Sequence, residues 1–219
     1  MKSHEARTER LGPHEVGLLR GGPRGAVTVA VLGLHLRGLV EAGRPGTLRR
    51  AAAFPPPDHP LEKAVRVGLH RPAGIRELPT RAAVRLVLAR MRGDLTADGL
   101  LRSGLPGPTR AGRRYLTSLR ARHPLPTAPD ALTDEEMLLA VALHGGRALT
   151  ALVPHFTRAS GLAGRGALAD EGRFPFGRGN DLRRTFGAEE DHTPGDGRSG
   201  GHHGGGGGHG CGGGGGGGD

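Results

Sequence analysis

Tryptophan is absent from this 219-residue chain, which has one tyrosine, Tyr115, and five phenylalanines. Aromatic side chains bury the most area per residue, so a core has to be assembled here from Leu, Val and Ala. Lysine is nearly absent as well, with Arg outnumbering Lys by 29 to 2. A G+C-rich codon usage, which favours Arg, Ala, Gly and Pro, accounts for that ratio. Phosphate recognition, to which the guanidinium fork is suited, is the alternative. Cys211 is the single cysteine, so an intrachain disulfide is excluded and a reducing, cytoplasmic setting is expected.

Long hydrophobic runs are also lacking. The opening Met1-Lys2-Ser3-His4-Glu5-Ala6-Arg7 is charged and has no apolar signal region. The longest strongly apolar run, Ala26–Leu36, has 11 residues and stops at Arg37, whereas a spanning helix needs about 20. Met137–Thr157 is long enough but carries His144, Arg147, Pro154 and His155. A central Arg there costs about 2.5–3.5 kcal/mol on insertion. Both stretches therefore read as buried helices of a soluble protein. No His-Glu-x-x-His or Cys-x-x-Cys motif is found.

Charge is distributed unevenly. The net charge is +10, but residues 1–122 hold 23 Arg and Lys against 9 Asp and Glu, while residues 123–219 hold 8 against 12. The N-terminal half is polybasic, and codon usage does not account for the asymmetry. Glycine supplies 42 residues, of which 14 fall in the last 19. From Gly161 on, glycine and charge dominate and no period persists, so 161–219 is expected to be disordered.

The remaining chain divides at proline. Residues 1–10 are polar and expected to be frayed. His14–Arg20 predicts a short helix ended by Gly21-Gly22, and Pro23 suits the first turn of the next. That second helix, running to about Leu39, is apolar almost all round and should be the central buried helix, with a strand as the competing reading because of its β-branched residues. Gly43 and Gly46 flank a turn, and Thr47–Ala53 reads as an extended return. A Pro-rich linker, 54–60, leads to a second unit, 61–122. There Leu61, Ala64, Val65, Gly68 and Leu69 share a face. Arg81–Met91 is the clearest amphipathic helix, with Val84, Val87, Leu88 and Met91 on one side. Thr109–Arg122 is a further helix. After the linker 123–132, Thr133-Asp134-Glu135-Glu136 spells a capping box, and 133–160 reads as a helical pair broken at Gly145-Gly146.

Two resemblances bear on function. Leu34–Arg50 resembles the last helix and wing of a winged-helix fold, and Leu101–Leu119 resembles the passage from wing to final helix. The resemblance implies a mostly α fold of tandem winged-helix-like units, 11–53 and 61–122, followed by the helical pair and the Gly-rich tail. In such a fold a recognition helix enters the major groove while basic wing residues touch phosphate. Arg81, Arg85 and Arg92, with Arg49 and Arg50 of the first unit, are the expected nucleic-acid contacts. The first unit's own helix offers only Thr28 and His35 for reading bases, which favours a scaffold or protein-interaction role for these units.

The order of Leu18–Val27, Leu36–Val40, Pro60–Val65 and Leu138–Leu149, then a Gly/His/Cys tail, is similar to an uncharacterised family from high-G+C bacteria. Its members end in Gly/Cys-rich tails and are usually labelled membrane proteins. The resemblance implies membrane association and carries no activity.

His202, His203, His209 and Cys211 are the candidate metal ligands, since imidazole and thiolate suit zinc, nickel or copper. A glycine chain loses much entropy on ordering, so the expected affinity is modest, and an incidental low-complexity extension is the favoured reading. Asp94–Gly99 begins like a calcium loop, but Leu105 falls where the bidentate Glu belongs, so a capped turn is expected. The sequence thus predicts a non-enzymatic protein that acts through binding, with a protein of unspecified kind or nucleic acid as its partner.

Overall fold

In a computed structural model the described residues are 11–52, 57–126 and 132–162. They fold as helices with one small hairpin. Helix α1 spans Pro13–Leu36, strands β1 and β2 are Val40–Ala42 and Leu48–Arg50, and α2 is Pro60–Gly68. A 3-10 turn at Leu78–Thr80 precedes α3, Ala82–Ala97, and α4 is Arg110–Arg122. Helices α5, α6 and α7 follow at Asp134–His144, Gly146–Leu152 and Pro154–Ala159. The expected tail, 161–219, lies outside the described residues apart from Gly161 and Leu162, as do residues 1–10.

Helix α1 is two limbs. Gly22 breaks it with φ 63° and ψ −159°, backbone that side-chain-bearing residues avoid, and Pro23 begins the second limb. The break is where Gly21-Gly22 predicts it. The limbs fold back on each other at two glycines. A Cβ added to Gly25 would stand 2.4 Å from the Gly17 carbonyl oxygen, so only glycine lets the two backbones approach this closely. The second limb is the centre of the molecule. Ala26, Val27, Val29, Ala30, Val31, Leu32 and Leu34 are each 0 % exposed, which answers the strand alternative: an all-round apolar helix is stable because it is covered on every side. Helix α1 as a whole packs most extensively on α5, then on α2 and α3.

The helix ends earlier than expected, at Leu36. Gly38 takes φ 68° and turns the chain into β1, which pairs antiparallel with β2 in the register Val40–Arg50, Glu41–Arg49 and Ala42–Leu48. Leu48 also bridges to Ala73, attaching the hairpin to the segment after α2.

Helix α3 runs past Met91 to Ala97, so Asp94–Ala97 is its last turn rather than a separate capped turn. Its buried residues, Val84, Leu88, Met91 and Leu95, recur at helical spacing. Thr109 caps α4, accepting from the Gly112 amide, and the Thr133–Glu136 capping box is formed on α5. Helix α7 was not expected; Pro154 opens it rather than ending its predecessor.

One apolar cluster gathers Val16 to Leu48 of the first expected unit, Leu61 to Leu119 of the second, Ala140 to Phe156 of the third, and Leu162 from the start of the expected tail, which is buried rather than disordered. The segments between prolines thus share a core. Among the described residues no helix is long and apolar enough to cross a membrane.

Candidate nucleic-acid interface

The five arginines singled out by sequence meet different fates. Arg81, Arg85 and Arg92 lie along one stripe at the start and side of α3. Arg81, half-buried, is its N-cap, with Nη2 3.7 Å from Glu77 Oε2. Arg92, also half-buried, donates from Nη2 to the carbonyls of Leu105 (3.2 Å) and Arg102 (3.4 Å), and burial draws its pKa down. It pins the loop between α3 and α4. Arg49 pairs across the hairpin with Glu41 Oε1 at 3.0 Å. Arg85 and Arg50 are exposed, and their side chains make no hydrogen bond or ion pair among the described residues. The stripe is therefore partly spent on local structure.

A stronger cationic surface stands on α4. Its sequence, RAGRRYLTSLRAR, holds five arginines and no acid. Only Gly112, Leu116 and Leu119 are buried, all along one side. Gly112 sits there because a Cβ would meet the Leu100 carbonyl oxygen at 2.4 Å, so the helix presses directly on the preceding loop. The opposite side is exposed along its length. Arg110, Arg113, Arg114, Thr117 and Ser118 line a shallow open concavity on it. Arg113 donates Nη1 to the Pro108 carbonyl (3.3 Å), and the Thr117 hydroxyl donates to the Arg113 carbonyl (3.0 Å). The side chains of Arg110, Arg114 and Ser118 make no hydrogen bond or ion pair among the described residues. Arg120 points elsewhere, donating Nε to Leu143 at the end of α5.

The signal for this face was present in the sequence. No acidic residue occurs from Gly99 to Pro129, while six arginines do. Arg81–Met91 is not the clearest amphipathic helix: α4 separates its charged side from its buried side more sharply, whereas α3 leaves Leu86 exposed.

A second polar cluster is buried between α1 and α2. Glu62, 2 % exposed, receives Nε2 of His14 at 3.2 Å on one carboxylate oxygen and Nη2 of Arg37 on the other. Gly33 gives it room, since a Cβ there would lie 2.4 Å from Glu62 Oε1. His14 stacks on His59 with ring centres 3.8 Å apart and 7° between planes. His59 accepts the Leu61 amide on Nδ1, capping α2, and turns Nε2 to Glu15 Oε1 at 3.5 Å. Burial pushes the Glu62 carboxyl up, but the His14 hydrogen bond and charge, with Arg37, outweigh it and hold the group below its usual range. The Glu15 carboxyl is lowered likewise, burial being outweighed by His59. Sequence reading missed this cluster because its members are 48 residues apart, as for His14 and Glu62. It binds both limbs of α1 to α2 as a compensated interior ion network.

Among the described residues no group of three or more His, Cys, Asp or Glu converges as metal ligands. His202, His203, His209 and Cys211 lie outside the described residues. Compared with protein-family models, with curated proteins and with solved structures, the chain matches none.

Proposed function

We propose that this is a non-enzymatic protein that acts by binding, and that its ligand is the phosphate backbone of nucleic acid. The observation that carries this reading is the acid-free, six-arginine stretch from Gly99 to Pro129, whose helix α4 leaves an entire side exposed. A polyanion neutralises such a surface and releases its own counterions on doing so. The winged-helix comparison contributes less. The β1–β2 hairpin follows a helix as a wing would, but that helix is buried on all sides and has no face for a groove.

The test is anisotropy of a fluorescein-labelled, mixed-sequence duplex titrated with the full chain. Expected is saturable binding that reaches the micromolar range or tighter at low salt, as for sequence-independent binders. Absence of binding at low salt contradicts the proposal.

A further inference from the structure

We infer that the duplex is seated on α4, at Arg110, Arg113, Arg114 and Ser118, and not on the α3 stripe of Arg81, Arg85 and Arg92. This rests on the nucleic-acid reading above and assigns it a place.

The first argument is an internal conflict. Arg110, Arg113 and Arg114 occupy the first turns of a helix that has no acid there. A helix N-terminus carries partial positive charge and disfavours cations. Residues three and four apart are neighbours on the surface, so Arg110 also repels Arg113 and Arg114. Each term is small and unfavourable, and among the described residues no ion pair on the helix offsets them. Departures from local preference of this kind are expected where a site serves a ligand. An anion docked at this end offsets these repulsions, because the dipole and the three guanidinium groups all attract it.

The second argument is availability. The side chains of Arg110, Arg114 and Ser118 have no partner among the described residues, and Arg113 is oriented by its bond to Pro108 rather than neutralised. On the α3 stripe, Arg92 is committed to two carbonyls and Arg81 lies beside Glu77. The third argument concerns shape and chemistry. The exposed side of α4 carries Arg, Thr, Ser and Ala and no large apolar residue. A helix that lies in a lipid surface needs bulky apolar side chains to insert, and this side has none. A helix of 13 residues, about 20 Å long, matches the reach of a groove-lying element that touches several phosphates.

The test compares the full chain with R110A/R114A and with R81A/R85A/R92A, using the labelled duplex at several salt concentrations. Phosphatidylglycerol/phosphatidylcholine vesicles are the second probe. R110A/R114A removes two exposed side chains that are unpaired among the described residues and repel at the helix start, so its helical circular dichroism should match the parent and its Tm should be equal or higher. Its Kd at low salt should rise on the order of tenfold per arginine removed, and its log–log salt slope should fall by about two. R110K/R114K, which keeps the charge, should recover most of the affinity. The α3 triple variant should lose less than the α4 double variant. Unchanged duplex binding by R110A/R114A overturns the assignment to α4 while leaving the nucleic-acid reading intact. No duplex binding by the parent chain removes both. Binding to the vesicles without binding to the duplex also overturns both, in favour of a lipid surface.

Discussion

Arg20 holds the end of a helix that lies 122 residues away in sequence: its Nε donates to the Ala142 carbonyl at 2.6 Å, in the last turn of α5. Those last carbonyls have no partner within the helix, and a guanidinium satisfies both their hydrogen bonding and their partial negative charge. Gly145, which ends α5, has φ 63° and ψ −130°, and a Cβ there would lie 2.8 Å from the Arg20 guanidinium. The glycine therefore serves two needs, the backbone angle and the approach of Arg20. Arg20→Ala should destabilise by about 1–3 kcal/mol, the cost of an unsatisfied buried acceptor. Gly145→Ala should cost about 1–3 kcal/mol from backbone strain. Urea denaturation of the two single variants and the double should show Gly145→Ala costing less when Arg20 is already gone, because one of its two penalties has vanished.

The fold-back of α1 makes a contrasting pair of glycines. Gly25→Ala places a methyl 2.4 Å from the Gly17 carbonyl oxygen, a backbone atom that cannot swing away. The limbs must separate, and a loss of about 1–3 kcal/mol or more is expected. Gly21→Ala meets nothing within 4 Å and lies in the same helix. It should be neutral or mildly stabilising, since alanine restricts the unfolded chain. Equal effects in thermal denaturation would show that the limbs do not pack as described.

Acid should weaken the fold through Glu62 and Glu15. Both carboxyls titrate lower in the folded state than the unfolded value of about 4.3. Between the two values the unfolded chain binds more protons, so stability rises with pH there. The contribution is complete above the unfolded value and is lost as pH falls through the folded one. Glu62→Gln leaves Arg37 and His14 without their charged partner and should destabilise at pH 7. It should also flatten the dependence of stability on pH below about 4.5, which urea melts from pH 3.5 to 7 would read.

Local chemistry was the legible part of this fold. The break at Gly22, the turn from Gly43 to Gly46, the capping box at Thr133 and the buried face of Val84, Leu88 and Met91 all follow from neighbours in sequence. Interactions across the chain were not legible. Nothing near Glu62 announces that His14 and Arg37 will enclose it, and nothing near Arg20 points to Ala142. The division of the chain at proline leaves open whether its segments pack together, and Leu34, Leu88 and Leu143 belong to one core. Shared burial of this kind depends on packing that no local period encodes. The interface shows the same division. The run of arginines was visible, but that Arg92 would be absorbed by the 102–105 loop while the Arg110 and Arg114 side chains are unpaired among the described residues depends on the tertiary arrangement.

The most direct test of the central claim is the slope of log Kobs against log salt concentration for the full chain on a mixed-sequence duplex. A surface that engages phosphate through Arg110, Arg113 and Arg114 predicts a linear fall with a slope of about −2.7, near −0.9 per phosphate neutralised. A slope near zero, or no binding at any salt concentration, would contradict it.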